Sequence, residues 1–399
     1  MAEQPQPPGP LEALGEEEGE EPLSPAALRL LEEGNRVAES IVARIRELRG
    51  LLSSGVLRSA LEEWGELDGG VEGLEPGYAV DSTFPIEGGL ELVGGHLVAA
   101  VAGYVCFRGA SLPGLGCHGS HARAWFVESE EARRSVPLRA KLLEKKVANR
   151  LLLEAERAGG GPRLLLVDGE VVPYQLLFKS SRSVASNPVL RHLDGASSIL
   201  LERARRLGVT VVGVVKRSYS KLLSARLGSP VPLNDKAVMT LALRRGEYAV
   251  AGRFRELLPL HAETLAEARG RSGERYRRIV EERLAERPLY GEVVVAFYKP
   301  WIPGSYAVRV EVLDYGGLGL RRLLSMLAAA SNPATGLPYP IDVVDEYTRL
   351  EARALELLRR RVLRRVAELL GSPAEAAALL AHTNPEKRYV YEPRRGGRG

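Results

Sequence analysis

A chain of 399 residues that is 45% apolar and 27% charged has the balance of a folded globular protein, and its two cysteines, without CxxC spacing, speak against a disulfide framework or a four-ligand zinc site. No apolar run approaches the roughly 20 residues of a bilayer-crossing helix, and the acidic, Pro-rich start has neither the basic nor the apolar region of a secretory leader, so the expectation is a cytoplasmic protein with no membrane partner. The formal charge of +4 hides an asymmetry: the first 22 residues hold seven Glu and no Lys or Arg, which leaves the remainder at +11 and suits it to a polyanion such as nucleic acid.

Residues 1–24 are low in complexity and acidic, and are expected to be a disordered tail. Residues 25–70 are expected to form a helical extension. From Pro25 to about Leu67, Leu28, Leu31, Val37, Ile41, Val42, Ile45 and Leu48 recur at helical spacing, giving one or two amphipathic helices that would pack on a partner subunit or cover the domain. The core begins near Gly77. Tyr78 to Asp81, Leu90 to Val93 and His96 to Cys106 read as strands separated by Gly-Gly turns, and His118 and His121 as loop residues beside Cys117.

A helix is expected from Val136 to Ala158, ended by Gly159-Gly-Gly-Pro162, and then a buried strand from Leu164 to Val167 that delivers Asp168-Gly169. The pattern repeats with a helix from Ser197 to Leu207 and a strand from Val209 to Val215. Further on come an Arg/Glu-rich helix around Ser272 to Arg287, a strand pair (Glu292 to Tyr298 and Tyr306 to Leu313), a helix from Arg321 to Ala330, a Pro/Gly loop from Ser331 to Pro340, and a helix from Asp342 to about Leu370. Residues 385–399 form a basic tail. Strands alternating with helices predict an α/β fold, a mixed β-sheet flanked by helices.

Phosphate loops of the GxxxxGK[ST] type, a GxGxxG after a strand, HExxH and GxSxG are all missing, which removes support for ATP hydrolysis, dinucleotide chemistry, zinc proteolysis and α/β-hydrolase chemistry. What remains is acidic. Asp81 and Asp168 each end a short apolar strand, where a carboxylate emerges into the crevice that open α/β sheets use for ligands. Either could equally begin a turn. Glu144 shares a helical stripe with Ala140, Val147, Ala148, Leu151 and Ala155, with Lys141, Lys145, Lys146 and Arg150 mostly on other faces, so it needs a compensating cation, which a metal or a buried arginine would supply. Glu154 is the alternative on that helix. Asp345 lies in the first turn of the last long helix, where the dipole alone favours an acid.

Hard oxygen ligands of this kind suit Mn²⁺ or Mg²⁺ and phosphodiester hydrolysis. Lys216 and Arg217 follow a strand and could meet a phosphate, and so could Arg309, which otherwise reads as one half of an Arg309–Glu311 pair. Asp235 would hold Lys216 or cap the helix that follows it. The order strand-Asp, helix-Glu, strand-Asp and late-helix acid is that of RNase H-like nucleases and recombinases.

Tyr78-Ala-Val-Asp81-Ser-Thr, the Glu-bearing helix, Leu165-Leu-Val-Asp168-Gly169, Val211-Val-Gly-Val-Val-Lys216, Asn234-Asp235 and Tyr306-Ala-Val-Arg309-Val-Glu311 together resemble the NurA-type archaeal nucleases, from about Gly77 to about Leu363. The resemblance implies an RNase H-like nuclease domain over residues 77–370 and Mn²⁺-dependent cleavage of single- and double-stranded DNA with 5′ to 3′ exonuclease action. It also implies a homodimer and partnership with a HerA-type hexameric ATPase in DNA end resection and break repair. By motif, Asp81, Glu144 and Asp168 match the family's acids. Two departures stand out: Ser82-Thr83 and Glu170 differ from the usual neighbours of the two aspartates, and the family's late Ala-His is replaced by a segment ending in Asp345. A non-catalytic DNA-binding or motor-adaptor subunit of the same fold is therefore the alternative reading.

Overall fold

The computed structural model describes residues 24–71, 73–85, 89–113, 117–129, 133–216, 220–228 and 231–381. The acidic and basic tails expected at residues 1–24 and 385–399 lie, but for Ser24, outside them, as does Arg217. Two units are distinguished, Met1–Ser54 and Gly55–Gly399. Within its described part, the first is the helix Pro25–Ser53, which leaves Leu30, Leu31, Val37, Ile41 and Val42 exposed.

Among the described residues, the second unit is built on ten strands: β1 (Glu63–Glu66), β2 (Leu74–Thr83), β3 (Leu90–Leu92), β4 (Gly95–Gly109), β5 (His118–Val127), β6 (Leu164–Asp168), β7 (Thr210–Val215), β8 (Glu247–Arg253), β9 (Val294–Tyr298) and β10 (Val308–Leu313). They form one sheet in the order β1-β8-β9-β10-β7-β6-β2-β4-β3, with β5 on β4. The neighbours β2, β6 and β7 are parallel, and the other pairings are antiparallel. This is the expected α/β fold with a mixed sheet.

The central strands are hydrophobic throughout because helices cover both faces. On one face Ala79, Leu166, Val214 and Val310 pack with Leu323, Leu327, Ile341 and Val344 from the helices Leu320–Ala329 and Tyr339–Thr348. By alternation, Val80, Val167 and Val215 point to the other face. The helices Val136–Arg157 and Pro188–Leu207 pack against each other beside strands β2, β4 and β7.

Four expectations are corrected. The helical extension ends before Leu67: after a short helix at Val56–Ala60, residues Glu63–Glu66 are an edge strand on β8, with Arg58 stacked over Trp64. The expected helix Asp342 to Leu370 is two helices, Tyr339–Thr348 and Ala352–Leu370, separated where Arg349 turns to extended backbone. His118 and His121 belong to β5, paired with Val105 and Ala102. That hairpin also brings Cys106 opposite Cys117, and the two form a disulfide across 11 residues. Here a hairpin register supplied what spacing alone did not.

Candidate metal centre

The parallel register pairs Val80 with Val167, so the next residues, Asp81 and Asp168, stand side by side at the carboxyl edge of the sheet. Both share the face covered by the Tyr339–Thr348 helix, and that helix contributes Asp345. One carboxylate oxygen from each of Asp81, Asp168 and Asp345 lies within 4.8 Å of the other two. Three hard anionic ligands so close suit a divalent cation such as Mn²⁺ or Mg²⁺.

Asp81 is buried and accepts a hydrogen bond from the Thr348 hydroxyl at 2.6 Å. Burial, and then the charge of Asp168, push its pKa up to about 7, against the opposing effect of Thr348. Asp168 is also raised, above all by burial, although Lys216 counteracts it. The ammonium of Lys216 lies 2.8 Å from Asp168 and 2.9 Å from Asp345, joining strands and helix through one cation. Burial works against that charge, but Asp168 and Asp345 outweigh it and raise the Lys216 pKa. Asp345 is the exposed member of the set, at 58% of its side chain.

The turn after Asp168 is tied down on all sides. Asp168-Gly169 is indeed a turn pair, with Gly169 at φ 102° and its N–H bonded to the Val214 carbonyl. Lys141 donates to the Asp168 carbonyl at 2.8 Å, Lys145 to the Glu170 carbonyl at 3.1 Å, and Glu311 accepts from the Val171 N–H at 3.0 Å. A methyl group on Gly213 would lie 2.5 Å from the Gly169 carbonyl oxygen, so only glycine lets β7 pass beneath this turn.

Glu144 reaches the same edge from the opposite face of the sheet. It is fully buried, accepts from Ser82 at 3.0 Å, and pairs with Lys141 at 3.1 Å and Lys145 at 3.3 Å. Its compensating cations are thus lysines of its own helix, which bend back along it. Glu154 is half-exposed and bonded to Arg150, which separates the two candidates of that helix.

Arg309 is not brought to the acids. It is buried on the other face, bonded to Glu311 at 2.8 Å, to Ser220 at 2.6 Å and to Tyr174. Asp235 accepts from Ser220 and from the N–H groups of Leu222 and Leu223, so it neither holds Lys216 nor caps the helix that follows it: it caps the preceding helix Leu222–Leu227, while Asn234 caps Asp235–Ala242. The carbonyl of Lys216 is instead held by Lys236 at 2.9 Å. Thr348, Lys141 and Lys145 are the participants that sequence reasoning missed. Thr348 lies one turn beyond Asp345, and Lys141 at the i,i+3 spacing from Glu144 was readable too, although the lysines were expected on other faces of the helix.

The family model described as the NurA domain matches residues 57–350, well over half of the sequence. The chain belongs to the NurA family. The solved NurA nuclease from Sulfolobus solfataricus resembles this NurA-family chain at a TM-score of 0.54 and 14% identity, over 84% of this chain and 97% of its own. Two further NurA structures are similar at lower scores: one with manganese (0.49, 12% identity, 86% of this chain and 99% of its own) and one bound to dAMP and manganese (0.45, 11%, 79% and 93%). No curated protein sequence matches. The matched NurA span takes in Asp81, Glu144, Asp168, Lys216 and Asp345, whereas the helices Pro25–Ser53 and Ala352–Leu370 lie outside it.

Proposed function

We propose that this NurA-family chain is a metal-dependent DNA nuclease whose ion is held by Asp81, Asp168 and Asp345. The observation that carries the reading is the convergence of three carboxylate oxygens within 4.8 Å at the edge of a parallel strand pair. When bound, Mn²⁺ or Mg²⁺ supplies Lewis-acid polarisation of a phosphodiester and an activated water. Every other task falls to the protein.

Thr348 orients the Asp81 carboxylate, and Lys141 fixes the peptide that carries Asp168. Glu144, reaching the edge beside Ser82, adds negative charge next to Asp81 and serves as the fourth acid of the site. Lys216 places a positive charge at the partly exposed mouth, where a phosphate would arrive. Arg217, which follows it, is a second candidate for phosphate contact. Arg309 and Glu311 brace the segments behind Asp168 and Lys216 and need no contact with substrate.

The finer reading follows the family: 5′ to 3′ exonuclease and endonuclease action on single- and double-stranded DNA, manganese as the working ion, a homodimer, and a HerA-type hexameric ATPase as partner in end resection, in the cytoplasm. Among the described residues no helix is long and apolar enough to cross a membrane. A catalytically impaired adaptor subunit is the second reading, favoured by the exposure of Asp345.

End-labelled DNA incubated with Mn²⁺, with a chelator control, separates the two. The nuclease reading expects chelator-sensitive products that vanish in Asp81→Ala and Asp168→Ala while DNA binding persists. No products from the wild-type protein would favour the adaptor.

A further inference from the structure

The helix Ala352–Leu370 carries six arginines against two glutamates. Its apolar side, formed by Leu355, Leu358, Val362, Leu363 and Val366, packs on Leu90, Leu92, Leu97 and Ala99. At 3.6 residues per turn, Arg353 and Arg364 fall opposite that side, with Arg361 at its margin, and all three are exposed. Glu356 pairs with Arg359 and Arg360, and Glu368 with Arg365. Arg353, Arg361 and Arg364 have no ion-pair partner among the described residues. Arg364 also sits three and four positions from Arg361 and Arg360, and like charges at those spacings weaken a helix. The cluster costs local stability, which a polyanionic ligand would restore.

Its position suggests which polyanion. Strand β4 runs antiparallel to β2 with Val101 opposite Thr83, so residues 95–100 overhang the edge from which Asp81 emerges. Leu97 and Ala99 lie on that overhang, on the side of β4 where Gly103 faces Thr348. The arginine helix therefore continues outward from the acids: Ala99 is four residues, about 13 Å, along β4 from Gly103, the partner of Asp81. A strand of DNA entering a cluster of carboxylates needs cations nearby, and guanidinium groups pair well with phosphate oxygens.

We infer that Arg353, Arg361 and Arg364 form a phosphate-binding stripe for DNA whose scissile bond lies at the acids, an inference that rests on the nuclease reading. The test is the salt dependence of binding by the full chain to a labelled duplex of about 30 base pairs, in the presence of a chelator. Three lost phosphate contacts should lower the slope of log affinity against log salt by about 2.7. Between about 50 and about 200 mM salt, the affinity ratio of wild type to Arg353→Gln/Arg361→Gln/Arg364→Gln would then shrink about fortyfold. Lysine at the same positions should restore the slope. Equal slopes in a triple variant that melts like the wild type would overturn the stripe, as would failure of the lysine variant to rescue. Wild-type cleavage that is lost in Asp81→Asn upholds the nuclease reading independently, so equal slopes count against the stripe alone.

Discussion

Asp81 carries conflicting demands: it must be ionised to hold a metal, yet it is buried beside Asp168. Burial and that neighbour raise its pKa to about 7, so below this value a proton competes with the ion for the carboxylate. The sign follows: Mn²⁺ affinity should rise by up to about tenfold per pH unit as pH approaches 7, then level off. Thr348 opposes the shift by donating to Asp81. Thr348→Val should therefore move the plateau to higher pH and weaken Mn²⁺ binding about 10- to 100-fold at pH 7. Titration of Mn²⁺ by electron paramagnetic resonance across pH measures both, and an unmoved plateau would remove Thr348 from the site. At the same scale, Glu144 shows how one residue can satisfy two readings. It is a buried acid neutralised by Lys141 and Lys145, and it is also a negative charge close to Asp81.

Strands and turns decide whether those residues meet. Gly213 lets β7 run under the Gly169–Val171 turn, where an added methyl group would lie 2.5 Å from one backbone oxygen and 2.8 Å from a backbone nitrogen. Gly213→Ala should destabilise the fold by about 1–3 kcal/mol through overpacking and displace the turn that carries Asp168. Urea unfolding and the cleavage rate should fall together, whereas an unchanged midpoint and rate would show that the turn has room to spare. Much of this layer was legible beforehand. The apolar runs ending in Asp81 and Asp168, and the glycine-terminated helix bearing Glu144, announced themselves by periodicity and flanking residues. The edge strand Glu63–Glu66 did not, because four residues with one aromatic carry no period and gain their conformation from pairing with β8. Strand β8 and the helix Phe254–Glu267 were missed as well. The Cys106–Cys117 bond depended on a hairpin register that two isolated cysteines cannot reveal. The Tyr339–Thr348 helix ends on the residue that donates to Asp81, and the break at Arg349–Glu351 follows it.

For the whole molecule, the basic body and the acidic site pose one electrostatic problem. A polyanion must be drawn toward a group of carboxylates, and that requires both a divalent ion and surrounding positive charge. The sequence announced the excess of basic residues but not its distribution, because a helix face is defined only once its packing partner is known. Lys216 marks where the two requirements meet, bridging Asp168 and Asp345 at the mouth of the site. The proposed function depends on whether those acids bind metal. The most direct measurement is a crystal of the full chain soaked in Mn²⁺, with the ion located by its anomalous scattering. The expected result is an ion coordinated by Asp81, Asp168 and Asp345, with the Lys216 ammonium displaced from the carboxylate oxygens. Under the same soak, Lys216 still bound to Asp168 and Asp345, and no ion among the three acids, would contradict it.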